Sequence, residues 1–264
     1  MSVVPRDAAS VMLLRDDTSR GGIEVLMVRR HAHSDFAGDM HVFPGGAVEE
    51  SDCERDVAEL CAGMGPEEAM SIIGDAPSPA RALGILVAGI RETFEEAGIL
   101  LASEASGELV ACTGERAARF DALREAVMNN QLSFTEMVAG ENLKLAVDRL
   151  TYFAHWITPE LSPIRFDTHF FLAPAPTGQN AFHDNVETTA HLWITPPEAL
   201  ERNERGEFAM LPPTIVNLMA LKRFSRVEDA LATVAQEDVP AIRPQVSFEG
   251  GEVRLLLPGD PDYH

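Results

Sequence analysis

The sequence predicts an α+β fold with a mixed β-sheet held between α-helices. Three features lead there: strand-like apolar runs near both ends of the chain, a long amphipathic helix between them, and proline-led helices alternating with the later strands. Ala8–Arg15 (AASVMLLR) and Ile23–Arg30 (IEVLMVRR) flank the turn-forming DDTSRGG and read as a hairpin. His41-Val42-Phe43 then runs into Pro44-Gly45-Gly46. Residues 51–80 are acidic and punctuated by glycine and proline, the pattern of a partly helical insertion. A helix is expected from about Arg81 to Ala97, stopped by Gly98, where a left-handed residue suits the terminus.

A second helical stretch is expected over Gly114–Arg149, within which Ser133 and Glu136 have the spacing of a capping box. Strands return at Leu150–Ile157, Phe166–Leu172 and Thr188–Thr195. Helices are expected after Pro196-Pro197 and after Pro212-Pro213, because proline suits the first helical turn. QVSFEGGEVRLLL reads as a hairpin turning at Gly250-Gly251. The expected organisation is a domain over residues 1–223 with insertions at about 51–80 and 103–149, then a helix-and-hairpin extension over 224–264.

With 264 residues the chain can bury a substantial core, and 45% hydrophobic with 24% charged residues is ordinary for a globular protein. The formal charge of −21 repels polyanions, which argues against nucleic-acid partners. An anionic substrate would need local cations to overcome that field, and divalent metals are the obvious ones. Solubility alone explains the same acidity equally well. No run of 18 uncharged apolar residues exists, so no membrane span is expected. The opening MSVVPRDAAS lacks the basic and apolar regions of a secretory signal. Cys53, Cys61 and Cys112 have no CxxC spacing and read as reduced thiols, so a cytoplasmic protein is expected.

The expected helix from Arg81 carries the chemistry. At about 100° per residue, with Glu92 as zero, Glu95 falls at about 300° and Glu96 at about 40°. Leu83, Leu86, Val87, Ile90, Phe94 and Ala97 fall between about 120° and 220°. Acid and oil thus occupy opposite faces. A solvated acidic face is the plain alternative, but like charges at this spacing cost a helix roughly 0.2–0.5 kcal/mol per pair. Partly buried, at about 6 Å and an effective dielectric near 20, each pair repels by ~3 kcal/mol. A divalent cation removes that penalty, and hard oxygen donors suit Mg²⁺ or Mn²⁺. Ala88 and Gly89 are small and lie on roughly the acidic side, which leaves room for a second backbone. Gly45-Gly46 is the natural candidate for that approach, and could offer a carbonyl to the metal.

FPGGAVEESD (Phe43–Asp52) and AGIRETFEEAGIL (Ala88–Leu100) together resemble the two halves of the Nudix box. Arg91 to Ile99 is an intact match to the second half. In the first half the family's outlying glutamate falls on Asp52, a shorter acid. About 31 residues more than the family spacing separate Asp52 from Arg91. The branch resembling the peroxisomal coenzyme A diphosphatases has an interrupted box of this kind, and WITPELSPIRFDTHFFLAP (Trp156–Pro174) also resembles that branch.

The resemblance implies the Nudix fold, Mg²⁺ or Mn²⁺ dependence, and attack of water on a diphosphate in a nucleotide-derived small molecule, with coenzyme A or an acyl-CoA as the expected substrate. It also implies Glu92, Glu95 and Glu96 as metal ligands and catalytic acids, a carbonyl from the Gly46 region, and Arg91 as the residue that orients the carboxylates. Which glutamate is the base stays open. Glu187, just before a strand, is either an extra ligand or base, or an exposed loop acid. Arg29 and Arg30 are candidates for binding substrate phosphate, with plain surface arginines as the alternative. His41, His155, His169 and His191 show no ligand spacing and read as structural, and Phe166, Phe170 and Phe171 read as sheet and core residues.

Two rival functions stand beside this. One is hydrolysis of NADH, ADP-ribose or a nucleotide sugar. The other is a catalytically silent domain that binds a nucleotide, against which the retention of Arg91, Glu92, Glu95 and Glu96 argues. A homodimer is compatible with each.

Overall fold

Two near-continuous apolar runs in the first hairpin, buried on both faces, set the sheet around which the rest is built. The computed structural model describes residues 3–19, 21–31, 38–179, 181, 188–249 and 252–263. Strand β1 (Arg6–Asp16) pairs antiparallel with β2 (Ile23–Arg30), as the turn signal between them requires. The short β3 (His41–Val42) pairs with β2, and β4 (Gly45–Ala47) returns to pair with β1.

The expected insertion at 51–80 forms two short 3-10 turns (Ser51–Cys53 and Arg55–Leu60) and helix α1 (Pro66–Ile73). Helix α2 (Pro79–Ala97) begins two residues earlier than expected, because Ser78 caps it by accepting from the Arg81 N–H and Pro79 fills its first position. Gly98 ends it in the left-handed conformation at φ 69°.

The helical stretch expected over 114–149 is not one element. After β5 (Ala102–Ser103) it divides into α3 (Glu115–Met128) and α4 (Phe134–Gly140), followed by β6 (Lys144–Leu145), which pairs with β5. Asn130 at φ 55° breaks the helical path, and Ser133 and Glu136 form the expected capping box that restarts it.

The remaining strands are β7 (Thr151–Ile157), β8 (Phe166–Pro174) and β9 (Thr188–Ile194), with α5 (Pro196–Glu204), α6 (Pro212–Leu221) and α7 (Val227–Val234) after them. Then come β10 (Ala241–Ile242), β11 (Gln245–Glu249) and β12 (Glu252–Leu256). The order across the main sheet is β10-β7-β8-β1-β2-β3, with β4 on β1 and β9 on β2. β1 runs parallel to β8 and β10 parallel to β7, while the other pairs are antiparallel, so the sheet is mixed as expected. β11 and β12 pair as the expected hairpin, whose Gly250-Gly251 turn lies outside the described residues.

Side chains alternate between two cores. Ala9, Val11 and Leu13 of β1 pack with α2 and both insertions, while Met12 and Leu14 face the core completed by α5, α6 and α7. Parts of the segment expected as an extension pack on the rest: β10 joins the main sheet, and Val227, Ala230 and Val234 of α7 contribute to the second core. Among the described residues, no helix is long and apolar enough to cross a membrane.

Candidate active site

Helix α2 is buried along nearly its whole length, because the acidic face is covered as well as the oily one. Glu96 is only 2% exposed, and the Gly45 N–H donates to its Oε2 at 2.9 Å. The Glu92 carboxylate packs on Gly46 so closely that a Cβ there would lie 2.5 Å from it. The double glycine is therefore needed for close approach to the carboxylates. Gly89 does something else: a Cβ there would meet Val11 at 3.1 Å and Ala9 at 3.5 Å. The small residue that precedes the acids lets the helix lie down on β1, and does not receive the glycine loop as the sequence suggested.

Arg91 is 4% exposed and central to the site. Its Nε and Nη2 donate to the two oxygens of Asp52 at 2.9 and 3.0 Å, a bidentate pair between buried groups. Nη2 also donates to the Ala47 carbonyl at 3.0 Å, and Nη1 donates to Glu92 at 2.8 Å and Glu95 at 3.2 Å. Burial works against this charge, but hydrogen bonding to Asp52 and the neighbouring glutamates outweigh it and hold the arginine pKa above its ordinary value. Asp52 additionally accepts the Glu49 N–H at 2.8 Å, so its shorter side chain serves the arginine and the turn. The two halves of the interrupted motif thus meet through Arg91 and Asp52.

Burial pushes the Glu95 carboxyl up to about 7, against the pull of Arg91 and with the help of the Glu92 charge. Glu92 and Glu95 share one arginine that Asp52 already engages, and Glu96 faces the more distant Arg30. The cluster lacks positive charge, and its donors are hard oxygens, so the residues present fit a divalent cation.

A cavity of about 510 Å³ opens beside this cluster, with Gly45, Gly46, Glu92, Glu96 and Arg30 in its lining. Arg30 Nη1 lies 3.9 Å from Glu96, and its Nε has no hydrogen-bond partner among the described residues. Arg29, the other expected phosphate binder, instead forms an ion pair with Asp39 at 2.7 Å and is not in the lining. Glu187 lies outside the described residues. Phe171 is core as expected, but Phe166 and Phe170 also line the cavity. Their spacing on β8 resembled a core strand, and nothing local distinguished a cavity wall from a core wall.

Three of the histidines expected to be structural, His41, His155 and His169, make ring or hydrogen-bond contacts. His41 stacks on Phe208 with ring centres 3.5 Å apart. His155 and His169 face each other across β7 and β8, and with Asp75 they offer ligand atoms within 4.8 Å. Their rings are stacked, tilted by 20°, so their in-plane lone pairs run side by side and do not converge on one point. His155 is hydrogen-bonded to Asp167, and His169 Nδ1 pairs with the Tyr152 hydroxyl at 2.7 Å. This is a satisfied buried polar network, separate from the glutamate cluster.

Sheet, split loop and glutamate helix together define a Nudix-type site. Residues 5–221 match the NUDT19 Nudix domain. Acyl-coenzyme A diphosphatase NUDT19 of Xenopus laevis is 30% identical over 91% of this chain and 71% of that protein. The Gallus gallus protein of the same name is 29% identical over 98% of this chain and 81% of its own length. A crystal structure of a NUDIX hydrolase from Alicyclobacillus acidocaldarius shares 27% identity and superposes with a TM-score of 0.68, covering 89% of this chain and 99% of that one. The chain belongs to the Nudix hydrolases, and within them to the family of the NUDT19 Nudix domain.

Proposed function

We propose that the protein is a Mg²⁺- or Mn²⁺-dependent diphosphatase that cleaves coenzyme A and acyl-coenzyme A. The observation that carries this is the single cavity shared by Glu92, Glu96, the double glycine and Arg30. The named activity of the NUDT19 relatives supports the substrate. In the reaction, water adds to one phosphorus of the diphosphate, the bridging P–O bond breaks, and a proton from the water passes to a carboxylate. Two phosphate-bearing fragments leave.

Glu92, Glu95 and Glu96 would hold the cation. When bound, it offsets the charge on the phosphate oxygens and lowers the pKa of water in contact with it. Arg91 fixes the carboxylates so that their geometry precedes substrate binding. The carbonyl offered by the glycine loop is that of Gly45 in place of Gly46. In the register Ala9↔Gly46, flanked by the Val11 N–H to Pro44 O and Val48 N–H to Asp7 O bonds, Gly46 turns its own polar groups toward β1. Gly45 turns its groups toward Glu96. Arg30 faces the same space and supplies a guanidinium for a phosphate oxygen. Unpaired cysteines support a reducing compartment such as the cytosol, and a homodimer is an expectation for sedimentation to test.

The test is a panel of coenzyme A, acyl-CoAs, NADH and ADP-ribose assayed with Mg²⁺ and with Mn²⁺. Adenosine 3′,5′-bisphosphate released with either metal, and not without one, is the expected result. Turnover of only the other compounds would overturn the substrate.

A further inference from the structure

The far end of the cavity plays no part in diphosphate chemistry. It lies on the α6 side of the sheet and is walled by Trp156, Ile157, Phe166, Phe170, Leu211 and Leu255. These residues come from β7, β8, the residue that caps α6, and β12. Two of its hydroxyls are committed to backbone carbonyls. The Ser10 hydroxyl donates to the Pro44 carbonyl at 3.0 Å, and Thr158 Oγ1 donates to the Phe166 carbonyl at 3.1 Å. Arg6, the lining cation besides Arg30, lies over the Phe166 ring at 5.1 Å. The walls are mainly apolar, and an aliphatic chain needs none of the polar partners that a phosphomonoester requires.

The outer wall is fixed by more than hairpin pairing. Ile242 pairs with Trp156 at the root of the hairpin, and Pro244 is buried and lines the cavity. Leu256 is 4% exposed, and the Tyr263 hydroxyl ties the following segment back to the Arg243 carbonyl at 3.1 Å. Leu255 is thereby presented to the chamber on an anchored strand.

We infer that this chamber is the subsite for the acyl chain of the substrate, and that Leu255 on the C-terminal hairpin limits the length of chain accepted. The inference rests on the diphosphatase reading for its substrate, and uses a part of the molecule that the Nudix box does not include. Each methylene transferred from water to such walls favours binding by up to about fourfold, so a few carbons decide the preference.

The test compares wild type, Leu255→Ala and Leu255→Trp on CoA esters from acetyl to palmitoyl. The expected result is a kcat/KM that rises with chain length in the wild type. Leu255→Ala moves the optimum to longer chains, and Leu255→Trp lowers the palmitoyl-to-acetyl ratio by about tenfold or more. Calorimetric binding of S-palmitoyl pantetheine, which has no nucleotide, is expected to weaken in Leu255→Trp. Parallel chain-length profiles in all three proteins would overturn the inference while leaving the diphosphatase standing. Loss of adenosine 3′,5′-bisphosphate binding in Leu255→Trp, with S-palmitoyl pantetheine binding intact, would also overturn it by placing the nucleotide there. Absence of any CoA hydrolysis with chain binding still governed by residue 255 would sink the proposed activity and keep the subsite.

Discussion

The two ends of the cavity are built in opposite ways. The charged end comes mainly from two short segments, Gly45–Asp52 and Arg91–Glu96, joined by the Arg91–Asp52 ion pair and the Gly45–Glu96 hydrogen bond, with Arg30 added from β2. The apolar end is assembled from side chains between Phe43 and Leu255, on elements that neighbour each other only in the finished fold. Chemistry is written locally in this molecule, and shape is written by tertiary packing. A single substitution should therefore do far more at the first end than at the second.

The largest effect is expected at the ion pair between the two segments. Arg91→Met leaves Asp52 buried and unpaired, and should cost about 3–5 kcal/mol of stability in urea denaturation. Adding Asp52→Leu to that variant should recover part of the loss, and full additivity of the two losses would refute the clamp. Next comes Glu96→Gln, which keeps an oxygen for the Gly45 N–H but removes the charge. Turnover should fall at least ~100-fold with an unchanged circular dichroism spectrum, and near-normal turnover would reject the charged end as the reaction centre.

Gly46→Ala places a methyl against the Glu92 carboxylate and displaces it. Turnover should drop between ~10-fold and ~100-fold, with little change in melting temperature. The smallest effect concerns His41, on the edge strand β3. Burial holds its pKa at about 4, partly opposed by the Ala209 backbone, against 6.5 in the unfolded chain. The unfolded state then binds more protons between those values, so this contribution to stability is present above 6.5 and fades as pH falls toward 4. In His41→Phe, the acid-side decline in melting temperature should be shallower, and an unchanged slope would show that other groups cause it.

Legibility from sequence followed the same division. The stripe of Glu92, Glu95 and Glu96, the Gly98 stop, the Ser133 capping box and the hairpins all depend on neighbours within a few residues, and were readable. The Ser78-Pro79 start of α2 is equally local, a capping serine followed by a proline at the first helical position. The difference between Arg29 and Arg30 was not readable, since adjacent strand residues diverge to opposite partners only when the sheet is placed. The roles of Leu211 and Leu255 had no local signature either. The cross-strand pair His155 and His169 escaped spacing arguments because sheet register, and not sequence interval, brings them together.

The contact of Arg91 with Asp52 has a consequence for how such enzymes are found. A search pattern of fixed length measures distance along the thread, and passes over any homologue in which extra residues separate these partners. In space nothing is missing: in this chain the guanidinium and the carboxylate lie within hydrogen-bond distance across 38 intervening residues. Scanning coordinates for a buried arginine that grips an aspartate and a glutamate at once would find interrupted members that text matching misses.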